Sequence, residues 1–150
     1  MHRLLLVIAL LAVAQPKDLG LGTWVFVPEK STYESGPAPK ESKRQWIAKG
    51  DAVQFLHDGV NAEGKPFHTE FTVKYDGKAA PFVGGTLYDA VALQLKSPHV
   101  VEQTFTLQGK VTVRATRTIS KDGKTMTIDS RGARKDGTPF KNILVYRRVG

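Results

Sequence analysis

Residues 100–131 have the sequence VVEQTFTLQGKVTVRATRTISKDGKTMTIDSR, in which β-branched and aromatic residues alternate with polar ones. The alternation is interrupted by two dipeptides that end in glycine, Gln108-Gly109 and Asp122-Gly123. An acidic or amide residue followed by glycine readily adopts the positive φ angles that tight hairpins require. The stretch therefore predicts three consecutive antiparallel strands, Val100–Leu107, Val111–Ser120 and Thr125–Arg131.

The same pattern continues on both sides of this stretch. Similar dipeptides are Asp58-Gly59, Glu63-Gly64, Asp76-Gly77 and Asp136-Gly137. The segments between them predict further strands at Thr23–Pro28, Lys43–Lys49, Ala52–Asp58, Pro66–Tyr75, Ala90–Lys96 and Phe140–Val149, with a weaker one at Ala80–Val83. Short links between consecutive strands indicate a meander. We predict an all-β fold, a single antiparallel up-and-down β-barrel of 8–10 strands, because closure leaves no unpaired edge.

Length and composition restrict the alternatives. The chain has 150 residues, 41% of them hydrophobic, which suits one domain with a single core. It has no cysteine, which excludes a disulfide scaffold, a thiol nucleophile and thiolate metal sites. An immunoglobulin-type sandwich is disfavoured as well, since that fold usually has long crossing loops and a central disulfide. The net charge of +8 favours contact with anionic surfaces without specifying a fold.

The N-terminal segment has the pattern of a targeting signal. Arg3 precedes an apolar run, Leu4–Ala12, and Ala12-Val13-Ala14 has the small-x-small form of a signal-peptidase site. The run is shorter than the roughly 20 residues that a membrane-spanning helix needs. We expect residues 1–14 to be a cleavable signal peptide and residues 15–150 to form the barrel of a secreted or periplasmic protein. A buried N-terminal helix is the alternative.

Two other segments have recognisable patterns. The link Glu29–Ser42 contains Gly36-Pro37-Ala38-Pro39, which excludes a helix interior and predicts a loop over one mouth of the barrel. Residues 59–67 and 132–140 share the pattern G-x-x-x-acid-G-x-P-F. Two hairpins with the same turn chemistry, or an old duplication of half a barrel, would both produce this repeat.

Strand alternation predicts which side chains face the interior. The inward faces are mainly apolar and include Leu107 and Val111 at the ends of two strands. The candidate ligand-binding residues inside the barrel are His57, Thr69, Phe71, Tyr75, Gln103, Phe105, Arg117, Asn142 and Tyr146. Arg117 depends on the phase of its strand, because a bulge would exchange it with Arg114. A small barrel either fills itself with side chains or holds one ligand, and a few polar groups in an apolar cavity would orient that ligand.

The sequence contains little that suggests catalysis or metal binding. His57 and His68 are predicted on opposite faces of the sheet and so cannot share a metal ion, and His99 is predicted in a solvated turn. No nucleophile elbow, zinc-binding helix or phosphate loop occurs, and no inward carboxylate pair is evident. We expect no cofactor, no metal and no enzymatic activity; His57 and Tyr146 would be the first residues to test for one.

Basic residues concentrate around two turns, at Lys121, Lys124, Arg131, Arg134 and Lys135. A solvated outer face is the simpler interpretation, and weak attraction to an anionic partner is the alternative. No interleaved surface aromatics indicate specific nucleic-acid binding.

Two motifs near the chain ends carry a family resemblance. Gly22-Thr23-Trp24 in the first strand, together with Val145-Tyr146-Arg147-Arg148-Val149 in the last, resembles the calycin superfamily of lipocalins and fatty-acid-binding proteins. With Pro28-Glu29-Lys30-Ser31 and the repeated Asp-Gly-Lys turns, the chain is similar to small secreted bacterial lipocalin-like proteins, a mostly uncharacterised group. The resemblance implies that Trp24 closes one end of the barrel beneath Arg147 or Arg148.

The same resemblance limits the ligand that can be expected. The fatty-acid-binding proteins carry an arginine for the ligand carboxylate where this chain has Leu144, and a two-helix lid where it has a Pro-rich loop. The leading hypothesis is therefore a monomeric, non-catalytic barrel that binds a small, largely apolar ligand. The alternative is an envelope structural or interaction protein with a filled barrel and a basic outer face. An interior volume of about 300–1,000 Å³ would favour the binding protein.

Overall fold

The computed structural model describes residues 17–150, which form ten β-strands and one short 3-10 turn at Pro28–Lys30. Every predicted strand is confirmed, including the weak one, with ends that differ by a few residues. The strands are β1 Gly22–Phe26, β2 Glu41–Lys49, β3 Ala52–Val60, β4 Pro66–Lys74, β5 Ala80–Val83, β6 Ala90–Ser97, β7 Val100–Leu107, β8 Lys110–Ile119, β9 Thr125–Ala133 and β10 Pro139–Val149. The predicted signal peptide, residues 1–14, lies outside the described residues.

The strands form a closed antiparallel barrel, as predicted. Each strand pairs with its neighbours in sequence, and β1 pairs with β10 from Thr23↔Val149 to Phe26↔Tyr146 to complete the ring. Long side-by-side ladders join most neighbours, but β5 pairs with β4 and with β6 through two residue pairs each. Because the turns are short, each strand pairs with the next one in sequence, and the result is a meander.

Five of the six predicted glycine turns are confirmed. Gly64, Gly77, Gly109, Gly123 and Gly137 all have positive φ angles at hairpin turns. The prediction for Asp58-Gly59 is wrong, because both residues lie within β3, which runs on to Val60. Gly59 is needed there for space: a methyl group on it would lie 2.1 Å from the carbonyl oxygen of Glu41.

The two repeated segments form hairpins of the same construction. In the first, Gly59 lies opposite Phe67. In the second, Gly132 lies opposite Phe140. In each pair the phenylalanine ring covers the glycine that faces it, so that a methyl group on the glycine would lie 2.6 Å or 3.1 Å from the ring. The repeat in the sequence thus encodes two matching glycine–phenylalanine pairs.

Side chains fill one end of the barrel. The apolar residues that are fully buried there include Trp24, Val53, Val101, Ile119 and Met126. Leu107 and Val111 were predicted to face inward, but they are 38% and 40% exposed. A register shift between β7 and β8 at Thr106, next to the turn, breaks the alternation on which that prediction depended. Residues 17–150 contain no helix that is long and apolar enough to cross a membrane.

Candidate functional site

One end of the barrel is closed by Trp24 and Arg148. Trp24 is fully buried, and the guanidinium carbon of Arg148 lies 4.2 Å from the centre of its ring. Arg148 also donates hydrogen bonds to the carbonyl oxygens of Leu19, Leu21 and Gly123 at 2.6–2.8 Å. The resemblance implied this contact for Arg147 or Arg148. The alternation of β10 selects Arg148, since Arg147 is exposed.

Next to Trp24 lies a buried ion pair between Asp18 and Arg117. The Asp18 carboxylate accepts hydrogen bonds from Arg117, from the Tyr75 hydroxyl at 2.6 Å and from the Gly20 amide at 2.7 Å. Burial opposes the charged form of Asp18, but these partners, Arg117 foremost, lower the pKa of the carboxyl below its ordinary value. Burial and the hydrogen bond to Asp18 raise the pKa of the Tyr75 phenol far above its ordinary value.

This ion pair engages two of the predicted ligand-binding residues, Tyr75 and Arg117. Tyr75 and Arg117 do face inward, but they lie in the filled end and are absent from the lining of the cavity described below. Both side chains are engaged with Asp18, and the Arg117 guanidinium carbon lies 4.4 Å from the centre of the Trp46 ring. The sequence did not indicate these contacts, because Asp18 lies before the first strand, where no alternation marks it as buried.

The other end of the barrel encloses a cavity of about 360 Å³ that opens to solvent. An adjoining cavity of about 320 Å³ shares six lining residues with it, on β2, on β3 and in the loops around the mouth. Of the predicted ligand-binding residues, the first cavity is lined by His57, Phe71, Gln103, Phe105 and Asn142. The second is lined by His57, Thr69 and Tyr146.

Aromatic rings form one wall of the cavity. Trp46, Phe55, Phe71 and Phe82 are directly paired across β2, β3, β4 and β5, and we call these four residues the aromatic ladder. Neighbouring rings of the ladder have centres 4.6–5.6 Å apart, and Phe55 and Phe71 are stacked with an angle of 21° between their planes. The ladder presents apolar ring surface to any molecule in the cavity.

A chain of three polar side chains lies beside the ladder. The Ser42 hydroxyl is 2.7 Å from Nε2 of His57 and 2.9 Å from the hydroxyl of Tyr146. Burial, and then repulsion from Arg44, lower the pKa of His57 well below its ordinary value, so the ring is neutral at physiological pH. Ser42 was missed because the predicted strand began at Lys43, two residues after the observed start at Glu41.

Arg44 was also missed, although the sequence contained the signal. Trp46 faces inward, so alternation places Arg44, two residues earlier, on the same face. Its guanidinium carbon lies 4.7 Å from the centre of the Tyr146 ring and 5.7 Å from that of Phe55. Arg44 lines both cavities, and its buried Nε atom has no hydrogen-bond acceptor among residues 17–150.

The link between β1 and β2 covers part of the mouth, as predicted. Tyr33, Ser35 and Pro37 from this link line the cavity. Asn142 on β10 holds the link in place: its Oδ1 accepts hydrogen bonds from the amides of Glu34, at 2.7 Å, and Ser35, at 3.1 Å. The amide of Asn142, which was predicted to contact a ligand, is therefore largely occupied by the link.

The histidines outside the cavity differ from one another. His68 lies on the outer face, where its ring nitrogens contact Asp58 at 2.6 Å and Glu70 at 2.8 Å. His57 and His68 therefore face opposite sides of the sheet, as predicted. His99 is half-buried rather than solvated, because its Nδ1 lies 3.0 Å from the carbonyl oxygen of Ile119.

The barrel resembles several β-barrels of known structure. No family model and no curated protein matches the sequence. The ileal bile acid-binding protein of zebrafish, solved with cholic acid, aligns with a TM-score of 0.56 and 15% identity over 88% of this chain and 100% of its own. The fatty acid transporter REP1-NXSQ aligns with a TM-score of 0.56 and 11% identity over 86% of this chain and 97% of its own. A redesigned β-barrel aligns with a TM-score of 0.52 and 16% identity over 88% of this chain and 93% of its own. At these identities the comparisons establish the fold alone, a closed antiparallel β-barrel.

Proposed function

We propose that this protein binds a small, largely apolar molecule in the open end of its barrel and does not change it chemically. The observation that carries the proposal is the cavity of about 360 Å³ lined by the aromatic ladder. Small-molecule sites commonly have volumes of about 300–1,000 Å³ and mostly apolar walls with a few polar groups. Proteins of the same fold are described as a bile acid-binding protein and a fatty acid transporter, which supports a binding role.

The filled barrel required by the alternative hypothesis does not agree with this geometry. Side chains meet across the axis at the Trp24 end, but they leave the opposite end open. Deep in the open end the wall includes Ala115, a residue small enough to leave room for a ligand. Ala115 therefore offers a position at which the cavity can be blocked.

The test is a titration with N-phenylnaphthylamine, a neutral apolar dye that fluoresces when it leaves water. We expect saturable binding of one dye per barrel. The substitution Ala115→Trp fills the cavity and abolishes binding. The matched control Thr116→Trp places the same side chain on the outer face of β8 and leaves binding unchanged. Absence of dye binding, or binding that persists in folded Ala115→Trp, contradicts the proposal.

We propose further that the protein is exported, with cleavage after Ala14, and that the mature barrel is a monomer. The support is the apolar run at Leu4–Ala12 followed by the small-x-small sequence. Intact mass of the protein recovered from a bacterial periplasm should correspond to a chain that begins at Gln15, and light scattering should give the mass of one chain. An uncleaved product retained in the cytoplasm contradicts the export proposal, and a dimeric mass contradicts the second.

A further inference from the structure

The interior of the barrel has an unbalanced positive charge. Among residues 17–150, the fully buried charged side chains are Asp18 and Arg117, which neutralise each other at the filled end. Arg44 adds a second cation at the open end and forms no ion pair within the described chain. Glu63 lines the adjoining cavity, but it is exposed in the turn after β3 and does not pair with Arg44.

The lining also has a surplus of hydrogen-bond donors. Within residues 17–150, the buried Nε of Arg44 and the buried Nε1 of Trp46 both lack an acceptor, and both residues lie on the inner face of β2. The hydroxyl of Thr69, in the adjoining cavity, has no partner either. A buried donor without an acceptor costs free energy, and the half-buried Arg44 also lacks a counter-ion within the described residues, which adds to that cost. A ligand that brings a negatively charged acceptor would remove both costs.

Arg44 is held in a defined position. Its guanidinium lies over the Tyr146 ring, and the hydroxyl of Tyr146 is fixed in turn by Ser42. A cation that is stacked on an aromatic ring is already partly desolvated and oriented before a ligand arrives. Position 144, where the family resemblance would place a ligand-binding arginine, is Leu144, and the cation at the open end lies on β2.

The shape of the wall restricts the rest of the ligand. The aromatic ladder begins at Trp46, two residues after Arg44 on the same face, and continues across three more strands. Aromatic rings favour offset stacking or edge-to-face contact with other flat rings. An anionic group at Arg44 therefore brings the body of the same molecule against a series of aromatic rings.

From the unpaired Arg44 beside the aromatic ladder, we infer that the ligand is a planar aromatic molecule with one negatively charged group, and that Arg44 binds that group. This inference rests on the proposed function and names the ligand class of the same cavity. The ring system packs along Phe55 and Phe71.

Three related compounds separate charge from shape. Naphthoate has a flat ring system and a negative charge, naphthamide has the ring without the charge, and decalin carboxylate has the charge on a saturated, non-planar body. Their affinities are measured at neutral pH by displacement of N-phenylnaphthylamine. A charge-assisted hydrogen bond is worth enough to make naphthoate bind roughly tenfold to a hundredfold tighter than naphthamide. We also expect naphthoate to bind at least several-fold tighter than decalin carboxylate.

The variant Arg44→Met tests the residue itself. Methionine keeps an unbranched apolar stem without the charge, so the preference for naphthoate over naphthamide should disappear in this variant. The control Arg114→Met removes an arginine from the outer face of β8 and should keep the preference. In the wild-type protein, the Nε–H resonance of Arg44 should shift when naphthoate is added, and this measurement does not depend on folding of the variant.

The outcomes separate the two proposals. Failure of the wild-type protein to bind the neutral dye contradicts the proposed function. Dye binding without a preference for naphthoate over naphthamide overturns the inference alone, as does a preference that survives in folded Arg44→Met or an Arg44 resonance that does not move. Equal affinity for naphthoate and decalin carboxylate overturns the planar ligand class.

Discussion

Asp18 and Arg117 are separated by 99 residues in sequence, yet they form an ion pair in which both side chains are almost completely shielded from solvent. Their contact joins the segment before β1 to the C-terminal part of β8. Gly20 connects this ion pair to the indole ring of Trp24. Its amide donates a hydrogen bond to the Asp18 carboxylate, and its carbonyl oxygen accepts one from Nε1 of Trp24. The filled end is therefore held by polar contacts as well as by apolar packing.

The substitution Asp18→Ala should strongly destabilise the protein. It leaves Arg117 charged and buried without its counter-ion, which typically costs about 3–5 kcal/mol. Urea unfolding at neutral pH measures the change in the free energy of unfolding. The control Asp51→Ala removes the carboxylate from an exposed pair with Lys74 and should cost less than about 1 kcal/mol. Equal effects in the two variants would contradict the structural role of Asp18.

His57 and His68 should titrate on opposite sides of the ordinary histidine pKa of about 6.5. Burial and Arg44 lower the pKa of His57, whereas hydrogen bonds to Glu70 and then to Asp58 raise the pKa of His68. Titration of the two rings by NMR measures both values in one sample. The reverse order would contradict the inward position of His57.

The lowered pKa of His57 also has a consequence for stability. Below about pH 6.5 the unfolded chain binds a proton at this position that the folded chain does not, so stability should fall as the pH decreases from there toward the pKa of the folded state. The variant His57→Phe should lose less stability than the wild type over this interval. Identical pH dependence of the two proteins in urea unfolding would exclude His57 as a source of the effect.

The substitutions Gly59→Ala and Gly132→Ala should destabilise the barrel to similar extents. A methyl group at these positions would lie 2.1 Å and 2.4 Å from backbone carbonyl oxygens, which cannot move without shifting a strand. Overpacking of this kind typically costs about 1–3 kcal/mol. Lys65→Ala, in the exposed turn of the first hairpin, should change stability by less than about 0.5 kcal/mol. Thermal unfolding of the three variants measures this difference, and a harmless Gly59→Ala would refute the close approach.

The substitution Asn142→Leu should release the link over the mouth of the cavity. Leucine has a similar size but cannot accept the hydrogen bonds of the Glu34 and Ser35 amides. Hydrogen exchange at these two amides should become faster, while exchange in the strands stays slow. Lys141→Ala is the matched control, since Lys141 holds Glu34 through its backbone amide. Unchanged exchange at both amides would show that Asn142 does not anchor the link.

The fold could be predicted because two local signals agree along most of the chain. Alternation determined which segments are strands, and glycine turns determined where they end. Asp58-Gly59 shows the limit of the second signal, because glycine serves both at turns and where another group comes too close for a side chain. The identity of that group, the carbonyl oxygen of Glu41, becomes evident only when the strands are assembled.

The candidate site could be predicted only in part, for a related reason. Alternation correctly predicted that Tyr75 and Arg117 face inward. It does not indicate at which end of the barrel a side chain lies or which residue it contacts. Asp18 satisfies both residues from a segment without periodicity. Arg44 is different: it was missed, but alternation from the inward-facing Trp46 is sufficient to place its side chain inside the barrel.

The two ends of the barrel have different roles: the filled end holds the strands together, and the open end contains the cavity. Trp24, Arg148 and the pair of Asp18 with Arg117 keep the ring of strands together from one end, and none of them lines the cavity. Residues around the mouth can therefore be exchanged without loss of the contacts that keep the barrel folded. This division makes the architecture evolvable. Substitutions around the mouth can change which molecule is bound, while the contacts at the opposite end keep the barrel folded.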